Sequence, residues 1–173
     1  LCIKFKKRLI QFSTCEVYGQ TINNLTDKEN EIIHFNEDTS PMIVGPVNKQ
    51  RWIYAVGKSL LERVLYSYGC DDKINYTIIR PFNFIGPEID YLPDVNKDIF
   101  NNDIPRVFSI FLNNLIFNKP LVLVNGGNQQ RSYTYIDDAV EIINQIILDR
   151  DNIIFRNIIS IQNNLIYYFH SII

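Results

Sequence analysis

The sequence predicts an α/β fold with a parallel sheet, and three observations support this prediction. Segments with the pattern of buried strands alternate with segments of helical periodicity, in the order strand, helix, strand, helix, strand, helix. Hydrophobic residues make up 46% of the 173 residues and charged residues 21%, which is typical of a folded globular chain. The length fits one domain, or one domain and part of another.

The first half of the chain predicts two strands around one helix. Residues 8–14 form a short apolar run that ends in small polar residues, which is typical of a buried strand. Residues 20–46 are expected to form a loop, because they are polar and have no sustained period. Apolar residues then recur every three or four positions over residues 52–68, which predicts a helix that ends at Gly69. A second strand is expected at residues 76–81, closed by a proline that cannot donate a ladder hydrogen bond.

The second half predicts two helices and one further strand. Residues 82–105 are expected to form a loop, and residues 107–117 a helix with one apolar face. The apolar residues 121–124 predict a strand that ends at a pair of glycines. A last helix is expected to begin at Asp137 or Asp138, because acidic side chains are favoured in the first turn of a helix.

Charge and cysteine content exclude several classes of function. Lysine and arginine number 17 and aspartate and glutamate 19, a net charge of −2, which argues against nucleic acid as a partner. The basic run at residues 4–8 is expected to be a solvated helix end or loop. No apolar run reaches the ~18 residues of a membrane span and no secretory signal is present, so we expect no membrane partner and a cytoplasmic location. Three cysteines without metal-binding spacing predict no metal site and a reducing compartment.

The strongest candidate for chemistry joins a strand end to a helix. Ser13 and Thr14 close the first predicted strand, and Tyr54 and Lys58 are four residues apart on the following helix, so they share one face. A nearby ammonium favours the phenolate form of a tyrosine, which can then remove an alcohol proton while a hydride leaves for a nicotinamide. The alternative is that this spacing occurs by chance, with an interfacial tyrosine and an exposed lysine.

Four segments resemble motifs of one enzyme family. The run Ser13-Thr-Cys-Glu-Val-Tyr-Gly19 resembles the S-T-x-E-V-Y-G signature of extended short-chain dehydrogenases that act on nucleotide sugars. Residues 44–58, 80–87 and 126–131 are similar to UDP-glucuronate oxidative decarboxylases within that family, including the decarboxylase domain of bifunctional polymyxin-resistance proteins. The resemblance implies that residues 1–173 form the C-terminal part of a Rossmann-like, doubly wound parallel sheet plus part of the small substrate-binding domain.

The resemblance also implies a reaction. The family oxidises the C4 hydroxyl of UDP-glucuronate with NAD⁺, and the ketone formed lies β to the carboxylate, so that CO₂ is lost. The product is a UDP-4-keto-pentose on the route to the 4-amino-4-deoxy-arabinose of lipid A, and hence to antibiotic resistance. The alternative within the enzyme class is a UDP-xylose synthase, which reduces the ketone again.

The family's site residues carry over by position. Tyr54 would be the alcohol base, Lys58 its partner that also binds the cofactor ribose, and Glu16 an aid to decarboxylation. Substrate binding would fall to Thr14, Arg51, Asn83, Arg106, Val122 and Arg131. Other interpretations stay open: Glu16 as a cap of a turn, Asn83 as a turn residue after a proline, and Arg106 as a surface residue.

The sequence departs from the family in several places. Cys15 stands where the family has serine, and a thiol is a weaker hydrogen-bond partner. Val122 stands where the family has lysine, which removes one cation. The Gly-rich turn that holds the cofactor pyrophosphate does not occur in the 173 residues, and the tail after Ile161 no longer follows the family.

These departures lead to an expectation about the isolated polypeptide. Without the preceding strands, the sheet would have an unpaired edge and an uncovered apolar face. We therefore expect that this polypeptide alone neither binds NAD tightly nor turns over. Two further possibilities stay open, a non-catalytic relic and a piece that acts with a complementing chain, while a homo-oligomer is the default for a chain that folds.

Overall fold

The structure is a computed structural model, and it describes residues 1–20, 35–95, 105–127, 131–148 and 156–161. The helices within these residues are α1 (Cys2–Phe5), α2 (Ile53–Cys70), α3 (Val107–Ile116) and α4 (Ile136–Leu148). The strands are β1 (Leu9–Phe12), β2 (Tyr76–Pro81), β3 (Asn83–Ile85), β4 (Tyr133–Tyr135) and β5 (Arg156–Ile161). Short 3-10 turns occur at Cys15–Tyr18, Gln50–Trp52 and Val124–Gly127. The chain divides into two compact units, one with the described residues of Leu1–Phe82 and Val140–Gln162, the other with those of Asn83–Ala139.

A parallel sheet forms the centre of the first unit. Its strand order is β1-β2-β5, with Leu9 opposite Tyr76 at one junction and Tyr76 opposite Arg156 at the other. Parallel neighbours need a crossover connection, which α2 supplies between β1 and β2. The predicted α/β class with parallel pairing is therefore confirmed, and β2 spans the same residues, 76–81, that the sequence predicted.

The core of the first unit lies along β2. Ile74, Tyr76 and Ile78 are buried together, and Leu9 and Leu65 pack against them. Each isoleucine side chain taken fully out of water contributes about 1.5–3 kcal/mol to folding. This burial agrees with the prediction of a buried strand over residues 76–81.

The N-terminal basic run differs in one respect from its prediction. Lys4 and Lys7 are exposed, and α1 ends where Lys6 adopts a left-handed conformation (φ 50°), as expected for a solvated helix end. Arg8, in contrast, is half-buried, and its Nη2 donates a hydrogen bond to the carbonyl of Ile146 at 2.6 Å. A cation at the last carbonyls of a helix is favourable, because those groups have no partner within the helix. Arg8 therefore caps α4.

The second unit corrects two predictions. Residues 83–85, expected in a loop, form β3, which pairs in parallel with β4 from Asn83 opposite Tyr133 to Ile85 opposite Tyr135. The strand predicted at residues 121–124 is wrong: residues 121–123 have no regular structure and Val124 begins a 3-10 turn. Val122 is 76% exposed, so this apolar run does not gain the burial that would hold it in a sheet.

Helix ends lie close to their predicted positions. The second helix runs through Gly69 to Cys70, so Gly69 does not end it, and α3 ends at Ile116, one residue before the predicted end. The last helix begins at Ile136, one residue before Asp137. Strand β5 had no counterpart in the prediction. Of the predicted loop at 20–46, residues 21–34 lie outside the described residues, as does the tail after Ile161.

Candidate active site

The candidate site is built at the carboxyl end of β1. Ser13 continues the pairing with β2, because its N–H donates to the carbonyl of Ile79 at 2.7 Å. Ser13 and Thr14 are both buried. The Thr14 Oγ1 accepts a hydrogen bond from the backbone N–H of Glu16 at 3.3 Å and so caps the 3-10 turn Cys15–Tyr18. The hydroxyl keeps its own proton, with which it can donate to a ligand.

Lysine 58 connects α2 to this strand end. Its Nζ donates a hydrogen bond to the carbonyl of Phe12 at 2.8 Å and lies 5.8 Å from the centroid of the Tyr54 ring. Tyr54 and Lys58 therefore lie on the same side of α2, next to the end of β1. An ammonium has three N–H groups, so two remain for a ligand. The Tyr54 side chain is 53% exposed, which leaves it accessible to a ligand.

An exposed ion pair lies beside this arrangement. Arg51 Nη1 is 3.7 Å from Glu16 Oε1, with the two side chains 64% and 35% exposed. The Arg51 guanidinium also lies over the ring of Trp52, 5.2 Å from its centroid. An exposed pair of this kind contributes only about 0–1 kcal/mol, so an anionic ligand can replace the Glu16 carboxylate as the partner of Arg51. Only the backbone N–H of Glu16 takes part in the cap of the turn, by donating to Thr14, while the Glu16 carboxylate faces Arg51.

The turn that carries Glu16 requires a glycine at its end. Gly19 has φ +71°, and a Cβ on it would lie 2.2 Å from the carbonyl oxygen of Ile43. The next residue, Gln20, donates its N–H to that same oxygen at 2.6 Å. Only glycine combines this backbone conformation with so close an approach. The end of the S-T-x-E-V-Y-G run is therefore fixed against residue 43.

Sequence reasoning missed a buried charge pair beneath the candidate site. Arg80 on β2 donates from Nε to Glu62 Oε1 at 3.1 Å and from Nη2 to Glu62 Oε2 at 2.7 Å, with both residues buried. Burial lowers the pKa of Arg80, but its hydrogen bonds with Glu62 and Tyr18 outweigh this effect and raise the pKa above its usual value. A signal was present in the sequence, since Glu62 follows Lys58 by four residues on one helix and a charged residue interrupts the apolar run of β2.

Four candidate substrate-binding residues lie in the second unit. The Asn83 amide donates to the carbonyl of Ser132 at 2.9 Å, which brings Asn83 beside Arg131 at the β3–β4 pair. Asn83 is thus a strand residue, which corrects the alternative that placed it in a turn. Arg106 precedes α3, and its N–H donates to Asp90 Oδ2 at 2.6 Å. Val122 lies exposed in the segment after α3.

The described ranges contain neither a metal-binding cluster nor a membrane-spanning helix. No group of three or more histidine, cysteine, aspartate or glutamate side chains that could hold a metal ion occurs in them. Among the helices of the same ranges, none combines the length and apolar character needed to cross a membrane.

Comparison with known proteins decides the family. The profile of the NAD dependent epimerase/dehydratase family matches residues 2–161. The chain belongs to this family. Its α/β, Rossmann-like fold and the NAD dependence of its members agree with the parallel sheet described above and with the predicted cofactor class.

Two plant enzymes are among the curated relatives. UDP-D-apiose/UDP-D-xylose synthase of Oryza sativa subsp. japonica is 47% identical over 152 residues, which cover 84% of this chain and 38% of the relative. UDP-D-apiose/UDP-D-xylose synthase 2 of Arabidopsis thaliana is 45% identical over 148 residues, which cover 82% of this chain and 38% of the relative. The chain thus spans well under half the length of these proteins.

Two solved structures have similar folds. PbgP3 protein from Burkholderia pseudomallei is 35% identical with a TM-score of 0.72, over 94% of this chain and 44% of that one. UDP-glucuronic acid 4-epimerase from Bacillus cereus, solved with UDP-glucuronic acid and NAD, is 25% identical with a TM-score of 0.69, over 96% and 43%. The nucleotide-sugar chemistry in these names belongs to those proteins.

Proposed function

We propose that this chain is the catalytic and substrate-binding part of an NAD-dependent UDP-glucuronate decarboxylase. The observation that carries the proposal is the Lys58–Phe12 hydrogen bond of 2.8 Å, which holds the Tyr54–Lys58 pair at the end of β1. The Glu16–Arg51 pair beside it supplies a carboxylate and a guanidinium for a substrate that is itself anionic. The names of the plant synthases and of the Bacillus cereus epimerase support a UDP-sugar as the substrate class.

Tyr54 and Lys58 would carry the oxidation step. The Tyr54 oxygen takes the proton of the C4 hydroxyl, and the Lys58 ammonium, 5.8 Å from the centroid of the Tyr54 ring, attracts the sugar oxygen's negative charge as it develops. Thr14, whose oxygen already accepts from Glu16 N–H, donates its own proton to the sugar and orients it. The hydrogen on C4 leaves with its electron pair as hydride, so the alcohol becomes a ketone.

The residues fit one end of the cofactor. Lys58 keeps two N–H donors beside the Phe12 carbonyl, and the buried Ser13 hydroxyl has no hydrogen-bond partner among the residues that the structure describes. These donors suit the hydroxyls of a nicotinamide ribose, whereas the Gly-rich turn that would hold the pyrophosphate does not occur in these 173 residues. The chemistry that NAD⁺ supplies when bound is the acceptance of a hydride.

Glu16 and Arg51 would act after the oxidation. The bond between C5 and the carboxylate carbon breaks, CO₂ leaves, and the electron pair enters an enolate with the new ketone. Arg51 orients the substrate carboxylate or pyrophosphate, because its planar fork matches either anion. Glu16 assists the loss of CO₂, and the enolate then takes up a proton at C5.

The sequence resemblance assigns further substrate-binding roles to Asn83, Arg106, Val122 and Arg131. The exposed side chains of Arg106 and Arg131 suit the pyrophosphate of UDP, and the Asn83 amide lies beside Arg131. Val122 would lie along the nucleotide without the charge that the family's lysine provides. We expect the reaction to run in the cytoplasm, where the soluble cofactor is available.

The product is the finer part of the proposal. The high identity with the plant synthases favours the UDP-xylose or UDP-apiose type, in which the hydride returns to the sugar. The alternative is the UDP-4-keto-pentose of lipid A modification, made by the decarboxylase domain of bifunctional polymyxin-resistance proteins, in which NADH accumulates. Net NADH therefore separates the two products.

An exposed apolar stripe on α2 supports an association partner. Its side chains are spaced three or four residues apart, and each is more than 40% exposed: Ile53, Val56, Leu60, Leu61 and Val64. Apolar stripes of this kind mark interaction surfaces. A second copy or a complementing chain would cover it, and a polypeptide of these 173 residues alone is expected to bind NAD weakly. If the chain is instead a non-catalytic relic, we expect it to retain this apolar stripe on α2 but to show no decarboxylation.

The test uses the protein that carries this chain, with NAD⁺ and UDP-glucuronate labelled with ¹³C at the carboxylate. We expect release of labelled CO₂, and Tyr54→Phe to slow it by about 100-fold or more. Tyr66→Phe, at an exposed position on the same helix, is the matched control and should keep the wild-type rate. Conversion to UDP-galacturonate with the label retained would refute the decarboxylase and indicate an epimerase.

A further inference from the structure

The buried Arg80–Glu62 pair joins three segments of the first unit. Besides its two hydrogen bonds to Glu62 on α2, the Arg80 guanidinium lies over the ring of Tyr18 at 4.8 Å from the centroid. Its Nη1 donates to the carbonyl of Glu37 at 3.2 Å. Tyr18 ends the turn that carries Glu16, and its ring stacks on Phe35 at 4.6 Å. One side chain on β2 therefore contacts α2, the turn after β1 and the backbone of Glu37.

Stability alone does not account for this pair. Two charges lose their hydration when they are buried, and an apolar pair of similar volume is often equally or more stabilising. What such a pair provides is geometry, because two parallel N–H···O bonds fix both the position and the orientation of a carboxylate. The contacts of Arg80 thus fix the position of Glu62 and of the helix that carries it.

The position of Glu62 on α2 shows what this pair would position. Glu62 follows Lys58 by four residues and Tyr54 by eight, so the three side chains follow one stripe of the helix. A rotation of α2 by 20° moves a side-chain atom about 8 Å from the axis by roughly 3 Å, which is enough to break a hydrogen bond. The Lys58–Phe12 bond therefore depends on the rotation of α2, and Arg80 holds that rotation through Glu62.

We propose that Arg80 is a positioning residue, which acts through Glu62 and Tyr18 to keep Lys58 on the Phe12 carbonyl and Tyr54 beside the turn of Glu16. This inference deepens the function proposed above and rests on it for its catalytic consequence. The part of the proposal that concerns the position of Lys58 does not depend on turnover. The positioning role and the proposed function can therefore be refuted by different experiments.

The geometric test is competitive acylation of lysines, followed by peptide mass spectrometry on the full chain. The Lys58 amine must leave its hydrogen bond to Phe12 before it can react. Loss of the Arg80–Glu62 pair, here called the clamp, should therefore raise the labelling rate of Lys58 about fivefold relative to that of the exposed Lys49. The variants are Arg80→Lys, which keeps the charge but loses the fork, and the double variant Arg80→Met with Glu62→Leu, which removes both charges and is expected to fold. Asp71→Asn, which breaks the exposed pair of Asp71 with Lys73, is the matched control and should leave Lys58 unchanged.

The outcomes separate clearly. Faster labelling of Lys58 in both clamp variants, with circular dichroism like that of the wild type, supports the proposal. A double variant that folds and labels Lys58 at the wild-type rate overturns it. In the decarboxylation assay we expect Arg80→Lys to lower kcat about tenfold while KM changes less than twofold, since a misplaced base slows chemistry but leaves substrate contacts in place. An equal rise of KM would instead indicate a general structural role.

Discussion

Lys58 Nζ donates a hydrogen bond of 2.8 Å to the carbonyl of Phe12, and this contact joins the middle of a helix to the end of a parallel strand. The carboxyl ends of parallel strands are where ligands bind in open α/β sheets. The contact therefore brings a helix side chain to the edge of the sheet at which the Ser13 and Thr14 hydroxyls emerge.

Replacement of this lysine should separate catalysis from folding. We expect Lys58→Met to lower the rate of UDP-glucuronate oxidation by about 100-fold or more, because the negative charge that develops during proton transfer to Tyr54 loses the nearby cation that stabilises it. Lys49→Met removes an exposed lysine just before the same helix and should retain the wild-type rate. The initial rate of CO₂ release measures the effect for either product, and a wild-type rate in Lys58→Met would remove Lys58 from the mechanism.

Replacement of Glu16 should act on the second step alone. We expect Glu16→Gln to form NADH from UDP-glucuronate but to release CO₂ at least about tenfold more slowly, because the assisting carboxylate is lost after the ketone has formed. The Glu16–Arg51 pair is exposed, so the free energy of unfolding should change by no more than about 1 kcal/mol. Asp38→Asn is a control at another exposed carboxylate. Equal loss of both products would show that Glu16 acts in binding or in the oxidation.

Two glycines provide opposite predictions for stability. Gly19→Ala places a Cβ 2.2 Å from the Ile43 oxygen at positive φ and should reduce the free energy of unfolding by about 1–3 kcal/mol. Gly57 lies within α2, and a Cβ there would meet nothing within 4 Å, so Gly57→Ala should add about 0.5–1 kcal/mol. Urea unfolding followed by circular dichroism measures both. A stabilising Gly19→Ala would contradict the close approach at Gly19, and a destabilising Gly57→Ala would contradict the open space at Gly57.

Alkaline pH should destabilise the fold through Tyr76. Burial raises the pKa of its hydroxyl above the ordinary value of 10.0, since the charged form is disfavoured in the core. The folded state then holds this proton more tightly than the unfolded state. The contribution of Tyr76 to the free energy of unfolding is therefore fully present below pH 10.0 and is lost as the pH rises through the folded pKa. Between pH 9 and 11, the free energy of unfolding of Tyr76→Phe should decrease less than that of the wild type. Identical slopes for both proteins would rule out Tyr76 as the cause.

The sequence predicted those parts of the fold that have a long and regular pattern. The strand Tyr76–Pro81 is buried along most of its length, and the helix Ile53–Cys70 repeats apolar residues at helical spacing over 18 residues. The strands Asn83–Ile85 and Tyr133–Tyr135 have three residues each, too few for a period, and are held by each other. Residues 121–124 have the composition of a strand without the burial that a strand needs.

The candidate site could be predicted in part for a similar reason. Tyr54 and Lys58 are four residues apart on one helix, so their proximity follows from helical geometry alone. Glu62 and Arg80 lie on different elements, and only the packing of α2 on β2 brings them together. The contacts of Arg8 with α4 likewise join residues that are 138 positions apart. A local pattern can mark a residue as unusual, as the charge within β2 does, but it does not encode which residue it pairs with.

The interior ion pair also constrains how this gene can change. A mutation that removes the charge of either Glu62 or Arg80 alone leaves an unpaired charge in the core, at a cost of about 3–5 kcal/mol, whereas a joint replacement by apolar residues restores the stability of the fold. Substitutions at positions 62 and 80 should therefore occur together during evolution. We expect related sequences to retain both charges or to replace both, and few of them to carry only one.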